Sequence, residues 1–223
     1  MRGGRLIQTL GISNFFPVCF HQIMNPIKTT KTICLLASIF LCTDAGAQNP
    51  TAENKKPIAF GISDKEGGLL GLEFSPPEGE GWIIKRSGTG ISVKKNGASA
   101  DENTEIEGYI IRLDAPIEPI SGYIERIKKN IQKGYESNSR LEIKLLEVIA
   151  DPTRSRCAKF HILLQDRTDT RWYSEQYALS CGLQKYKGMG VELRYFDRYY
   201  EQNKDNQFAE KANRILESIV IDK

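Results

Sequence analysis

The sequence predicts an α+β fold in a single domain, and three observations carry that expectation. Apolar residues recur at every second position in a series of short segments bounded by Gly-, Pro- and Asp-rich breaks. The period changes to three and four over residues 119–136 and again near the C-terminus. No internal repeat or low-complexity tract interrupts the series.

The first segments are read as processing signals rather than structure. Residues 24–47 contain Lys28 and Lys31, an apolar run over 33–42 broken at Ser38, and an Ala45-Gly-Ala47 end, the pattern of a cleaved secretory signal. A run of ten residues is half of what a membrane-spanning helix needs, about 20, so no stable membrane insertion is expected once the signal is cut. Residues 1–23 fit no part of such a signal and read as an upstream extension, with translation starting at Met24; the alternative is a long basic leader from Met1. Cys42 is not expected to be lipidated, because bulky Phe40 and Leu41 precede it where small residues are required. Residues 48–56 are a polar lead-in, and the domain proper is expected over 57–223.

Cleavage after Ala47 leaves 176 residues with 27 basic and 27 acidic side chains. A neutral chain lacks the basic excess that phosphate binding and counterion release require, so nucleic acid is not an expected partner. A core of this size folds without a metal or a disulfide lattice.

Along the domain, strands are expected over 57–62, 69–74, 81–86 and 91–95, with Leu70, Leu72 and Phe74 on a buried face. Ser87-Gly-Thr-Gly-Ile-Ser reads as a hairpin turn, and 104–113 as the next strand. Ile120, Ile124, Ile127, Ile131 and Tyr135 then line one side of a helix, with Ser121 its candidate N-cap. Four more strands follow over 141–150, 156–165, 171–181 and 189–199; in the first, the apolar parity slips between Leu145 and Leu146, which predicts a bulge. A last helix over 206–219 buries Phe208, Ala212, Ile215, Leu216 and Ile219, with Asp205 as its cap.

Three of the five cysteines leave with the leader. If the hairpin through Asp166-Arg-Thr-Asp-Thr170 is centred on Asp169, facing residues have numbers summing to 338, and Cys157 and Cys181 satisfy that sum. They are therefore expected to form a cross-strand disulfide in an oxidising compartment, the periplasm or the medium.

The early strands with Phe74-Ser-Pro-Pro-Glu-Gly-Glu-Gly-Trp82, the middle helix, the run of strands and the closing Phe208-x-x-x-Ala212-x-x-Ile-Leu-x-Ser218-Ile219 resemble the Mog/PsbP-like α/β/α sandwich over residues 57–221. That resemblance implies a largely antiparallel twisted sheet flanked by two main helices. It also implies a non-catalytic module that docks to another protein, as a photosystem extrinsic subunit or a Ran-binding factor does. No functional surface of those relatives matches this chain residue by residue.

Chemistry is sparse. His161 is the one histidine of the mature chain, too few for a usual zinc set, and no Gly-x-Ser-x-Gly elbow or phosphate loop is present. No metal or cofactor is expected. Glu105 with Glu107, and Glu78 with Glu80, read as solvated carboxylates. The surface singled out is the last strand: alternation puts Val191, Leu193, Tyr195 and Tyr199 on one side and Glu192, Arg194, Phe196, Arg198 and Tyr200 on the other. Arg194, Phe196, Arg198 and Tyr200 form a stripe suited to a carboxylate, a phosphate or a partner's loop. The competing account is a sheet face laced by cation–π contacts or covered by a helix. An exported binding module for another envelope protein or a small anionic ligand is expected, and a hydrolase or other enzyme with an unrecognised site is the alternative class.

Overall fold

The computed structural model describes residues 56–63 and 69–221, all within the unit Asp44–Lys223. The leader, the start at Met24 and all of the lead-in but Lys56 lie outside the described residues.

Seven strands form one antiparallel sheet: β3 (Ile83–Ser87), β4 (Gly90–Asn96), β5 (Asn103–Arg112), β6 (Leu141–Ala150), β7 (Cys157–Asp166), β8 (Trp172–Gly182) and β9 (Met189–Tyr200). Their order is β3-β4-β5-β9-β8-β7-β6. The strands β1 (Ile58–Ser63) and β2 (Leu69–Phe74) leave this sheet and build a second one, completed by the two-residue β10 (Val220–Ile221) on β2. The helices are α1 (Ile120–Glu136) and α2 (Phe208–Glu217).

Strand alternation divides the core in two. Ala158, Phe160, Ile162, Leu164 and Ala178 face α1, which buries Tyr123 against them and packs Ile120, Ile124, Ile127, Ile131 and Tyr135 around it. On the other face Ile91, Val93, Ile106, Leu179, Val191, Leu193 and Tyr195 meet Phe208, Ala212, Ile215 and Leu216 of α2 together with Ile58, Phe60, Leu72 and Phe74 of the small sheet. The expected α+β sandwich is present, with the second sheet sharing the α2 layer. Gly108 of β5 sets how closely the layers approach: a Cβ there would stand 2.2 Å from the Phe60 ring, so only glycine lets that ring lie on the strand.

The bulge in β6 falls between Ile143 and Leu145, and the β7–β8 register runs from Gln165 opposite Tyr173 to Cys157 opposite Cys181. The two cysteines are bonded and buried, 3% and 1% exposed.

Both helix starts differ from expectation. Ser121 sits inside α1, and the cap position belongs to Pro119, whose extended backbone leads directly into Ile120 and offers no side-chain cap. The cap position of α2 is Gln207; Asp205 accepts its N–H at 2.9 Å and closes the turn ahead of the helix instead.

Candidate interaction surface

The α1 helix lies over β6 and β7 and reaches β8 through the Tyr123 hydroxyl on Ser180, 2.7 Å away. Beside it, the same face of the sheet continues across β9 and β5 and carries the predicted stripe. Cross-strand register sets Arg194 opposite Glu107, Phe196 opposite Glu105 and Arg198 opposite Asn103. The alternation thus holds for all four stripe residues, and their neighbours decide what each can do.

Arg194 is committed. Its Nε donates to Glu192 at 2.5 Å, and its guanidinium lies 5.1 Å from the centre of the Tyr109 ring, whose hydroxyl donates to the same carboxylate at 2.9 Å. Phe196 is 4% exposed and serves as a platform: the Arg198 guanidinium rests 4.4 Å above its ring centre. Arg198 itself makes one long bond, Nη1 to Asn103 Oδ1 at 3.5 Å, and has no carboxylate in ion-pair range among the described residues. Tyr200 is half-buried, and its backbone N–H donates to Glu102, which also takes the Asn203 amide. Burial and the neighbouring Glu105 push the Glu107 carboxyl above its ordinary range, against the pull of Arg194 and Arg198. Glu105 is not free either, since Ser92 donates to it at 2.6 Å.

The opposite face of β7, β8 and β9 holds a second polar cluster. His161 Nε2 stands 2.9 Å from Glu175 Oε1, and its ring stacks on Tyr177 at 4.1 Å. Tyr177 and Tyr199 donate to the same carboxylate, and Lys204 lies 3.9 Å from it. Burial alone would raise Glu175, yet His161, Lys204 and Tyr177 hold it below the ordinary carboxylate range. No serine, threonine or cysteine hydrogen-bonds His161 among the described residues. Among the described residues there is also no group of three or more His, Cys, Asp or Glu that could hold a metal ion.

Asp197, the register partner of Glu175 on β9, is perturbed the other way. Burial pushes it up to about 6, with Asp205, Glu175 and Glu102 adding to the effect and the Thr104 hydroxyl, 2.7 Å away, opposing it. The folded chain therefore holds a proton between about pH 4 and 6 that the unfolded chain releases, and this group lowers stability as pH rises through that window. Asp197→Asn should remove that slope and raise stability at pH 7 by up to about 3 kcal/mol. Urea unfolding of both chains across pH 4 to 7 checks it; parallel profiles for the two would show that Asp197 is not held protonated.

The sandwich and its surface define the class only as far as an α+β domain with two-faced packing. No protein-family model matches the sequence, and no curated protein matches it. Solved structures do align with it, two among them as follows. The solution structure of cyanobacterial PsbP (CyanoP) from Synechocystis sp. PCC 6803 is 13% identical with a TM-score of 0.46, covering 79% of this chain and 98% of that one. The Ran-binding protein Mog1p of Saccharomyces cerevisiae is 8% identical with a TM-score of 0.43, covering 74% and 96%. The likeness is one of fold alone.

Proposed function

We propose that this protein is an exported, non-catalytic binding module of the periplasm or extracellular space. It engages a carboxylate-bearing segment of another envelope protein through the face that carries Arg194, Phe196, Arg198 and Tyr200. The observation that carries this reading is Arg198: a guanidinium set 4.4 Å above a buried ring, with no carboxylate within ion-pair distance among the described residues and only the longer-range pull of Glu107. Such a fork is pre-positioned for a planar anion and loses little rotamer freedom when it binds one. The buried Cys157–Cys181 bridge supports an extracytoplasmic site. Among the described residues, no helix is long and apolar enough to cross a membrane.

The test is capture from the native envelope fraction, followed by binding of the identified, purified partner. Arg198→Ala, which spares the Arg194–Glu192 pair, should weaken that binding at least tenfold and flatten its salt dependence while the melting temperature stays close to that of the parent chain. Equal affinity for the Arg198 variant would eliminate the stripe.

A further inference from the structure

A cleft of about 420 Å³ opens on the face opposite Arg198, between the loop of residues 75–82, the turn after β4 and helix α2. That volume is in the range of small-molecule sites, roughly 300–1,000 Å³. Its floor is apolar and largely buried: Trp82 and Tyr195, edge to face at 6.4 Å, and Ile215 line it at 4%, 3% and 7% exposure. The walls are fastened at both ends of the loop. Ser75 N–H donates to Ser218 Oγ at 2.9 Å, and the Ser218 hydroxyl donates to the Ile215 carbonyl at 2.7 Å. At the other end the Trp82 indole N–H donates to the Glu78 carbonyl at 3.0 Å, which folds the loop over the ring. Pro76 and Pro77 stiffen the stretch between. The cleft is thus formed before any ligand arrives.

Its charges are unequal. Five charged side chains line it: Glu78, Lys95, Asp205, Lys211 and Arg214. Lys211 is tied to Asp205 at 2.5 Å. Arg214 meets Glu78 at 3.5 Å and Glu210, one turn back on α2, at 4.0 Å, and is half exposed. Lys95 has no carboxylate in ion-pair range among the described residues. The Thr104 hydroxyl, also in the lining, is spent on Asp197. An apolar, aromatic floor under a rim where Lys95 alone stands without a carboxylate in ion-pair range among the described residues suits an anion with a flat apolar body.

We propose that this cleft binds a small aromatic carboxylate, its ring on Trp82, Tyr195 and Ile215 and its carboxylate between Lys95 and Arg214. The site is separate from the Arg198 stripe, because Tyr195 alternates with Arg194 and Phe196 along β9. It stands whether or not the stripe binds a partner.

The probe is 2-naphthoate, with the neutral 2-naphthamide as its matched control. Naphthoate should shift the Trp82 indole N–H resonance, assigned by Trp82→Phe, along a saturable 1:1 curve at millimolar concentrations. Naphthamide should bind at least tenfold more weakly. Lys95→Gln/Arg214→Gln, two exposed positions whose exchange leaves the fold intact, should weaken naphthoate tenfold or more and leave naphthamide unchanged. Absence of a saturable shift, equal binding of acid and amide, or an unaltered double variant would each overturn the proposal.

Discussion

Reducing the Cys157–Cys181 bond should cost about 3 kcal/mol of stability, and Cys157→Ala/Cys181→Ala should lose a similar amount. The cross-link closes a chain separation of 24 residues, and opening it restores to the unfolded chain the freedom that the loop denies it. The bond also sits where several tertiary ties converge. Asp151 N–H donates to the Cys157 carbonyl, and the Asp151 carboxylate takes bonds from Thr153 and from Arg154. The other nitrogen of that Arg154 guanidinium donates to the carbonyls of Leu216, Glu217 and Ile219 at 3.0–3.2 Å, closing the C-terminal end of α2. Loosening the hairpin end therefore loosens α2 as well. Chemical unfolding with and without reductant measures the effect. A loss under about 1 kcal/mol would mean that the denatured chain is little constrained by the link. Both thiols alkylatable in protein taken from its native compartment would remove the basis for export.

The bridge also shows which features the sequence makes legible. A tight hairpin sets its own register, so one centre at Asp169 pairs Gln165 with Tyr173, His161 with Tyr177 and Cys157 with Cys181 at once. The two amphipathic helices and the β6 bulge were readable for the same reason, since each is a local change of period. What lies above a face is not local. Alternation assigns Phe196 to a side but cannot say that Arg198 will cover it. It could have paired Arg194 with Glu192, two positions apart on one side with opposite charge, and that signal was present. Two-residue β10 has no period to detect, and a helix cap depends on backbone turns that Pro119 and Asp205 only bias. The cleft was invisible for a stronger reason. Its lining comes from residues 75–82, 95–97, 104, 195 and 205–215, and only the packing of the small sheet and α2 on one face brings them together.

Phe208→Ala should destabilise the protein by about 3–5 kcal/mol, the range for removing a buried ring and leaving a cavity. Phe208 is 2% exposed and meets Tyr195 and Tyr177 edge to face at 5.1 and 5.7 Å, so two aromatic pairs go with the ring. The surroundings cannot collapse into the space cheaply. Ala212, one turn on, is already fully buried and brings the helix backbone close to the sheet, and Ile215 and Leu216 hold the next turn. Phe208→Leu keeps most of the volume and should cost clearly less, because the remaining side chain still fills the notch between the two tyrosines. Because α2 supplies Lys211, Arg214 and Ile215 to the cleft, the alanine variant should also weaken naphthoate binding below its melting point, whereas the disulfide variant should disturb it less. Denaturant unfolding with matched slopes gives the first result, and the naphthoate titration gives the second. A loss below about 1 kcal/mol would mean that α2 is held to the sheet by its remaining stripe and not by this ring.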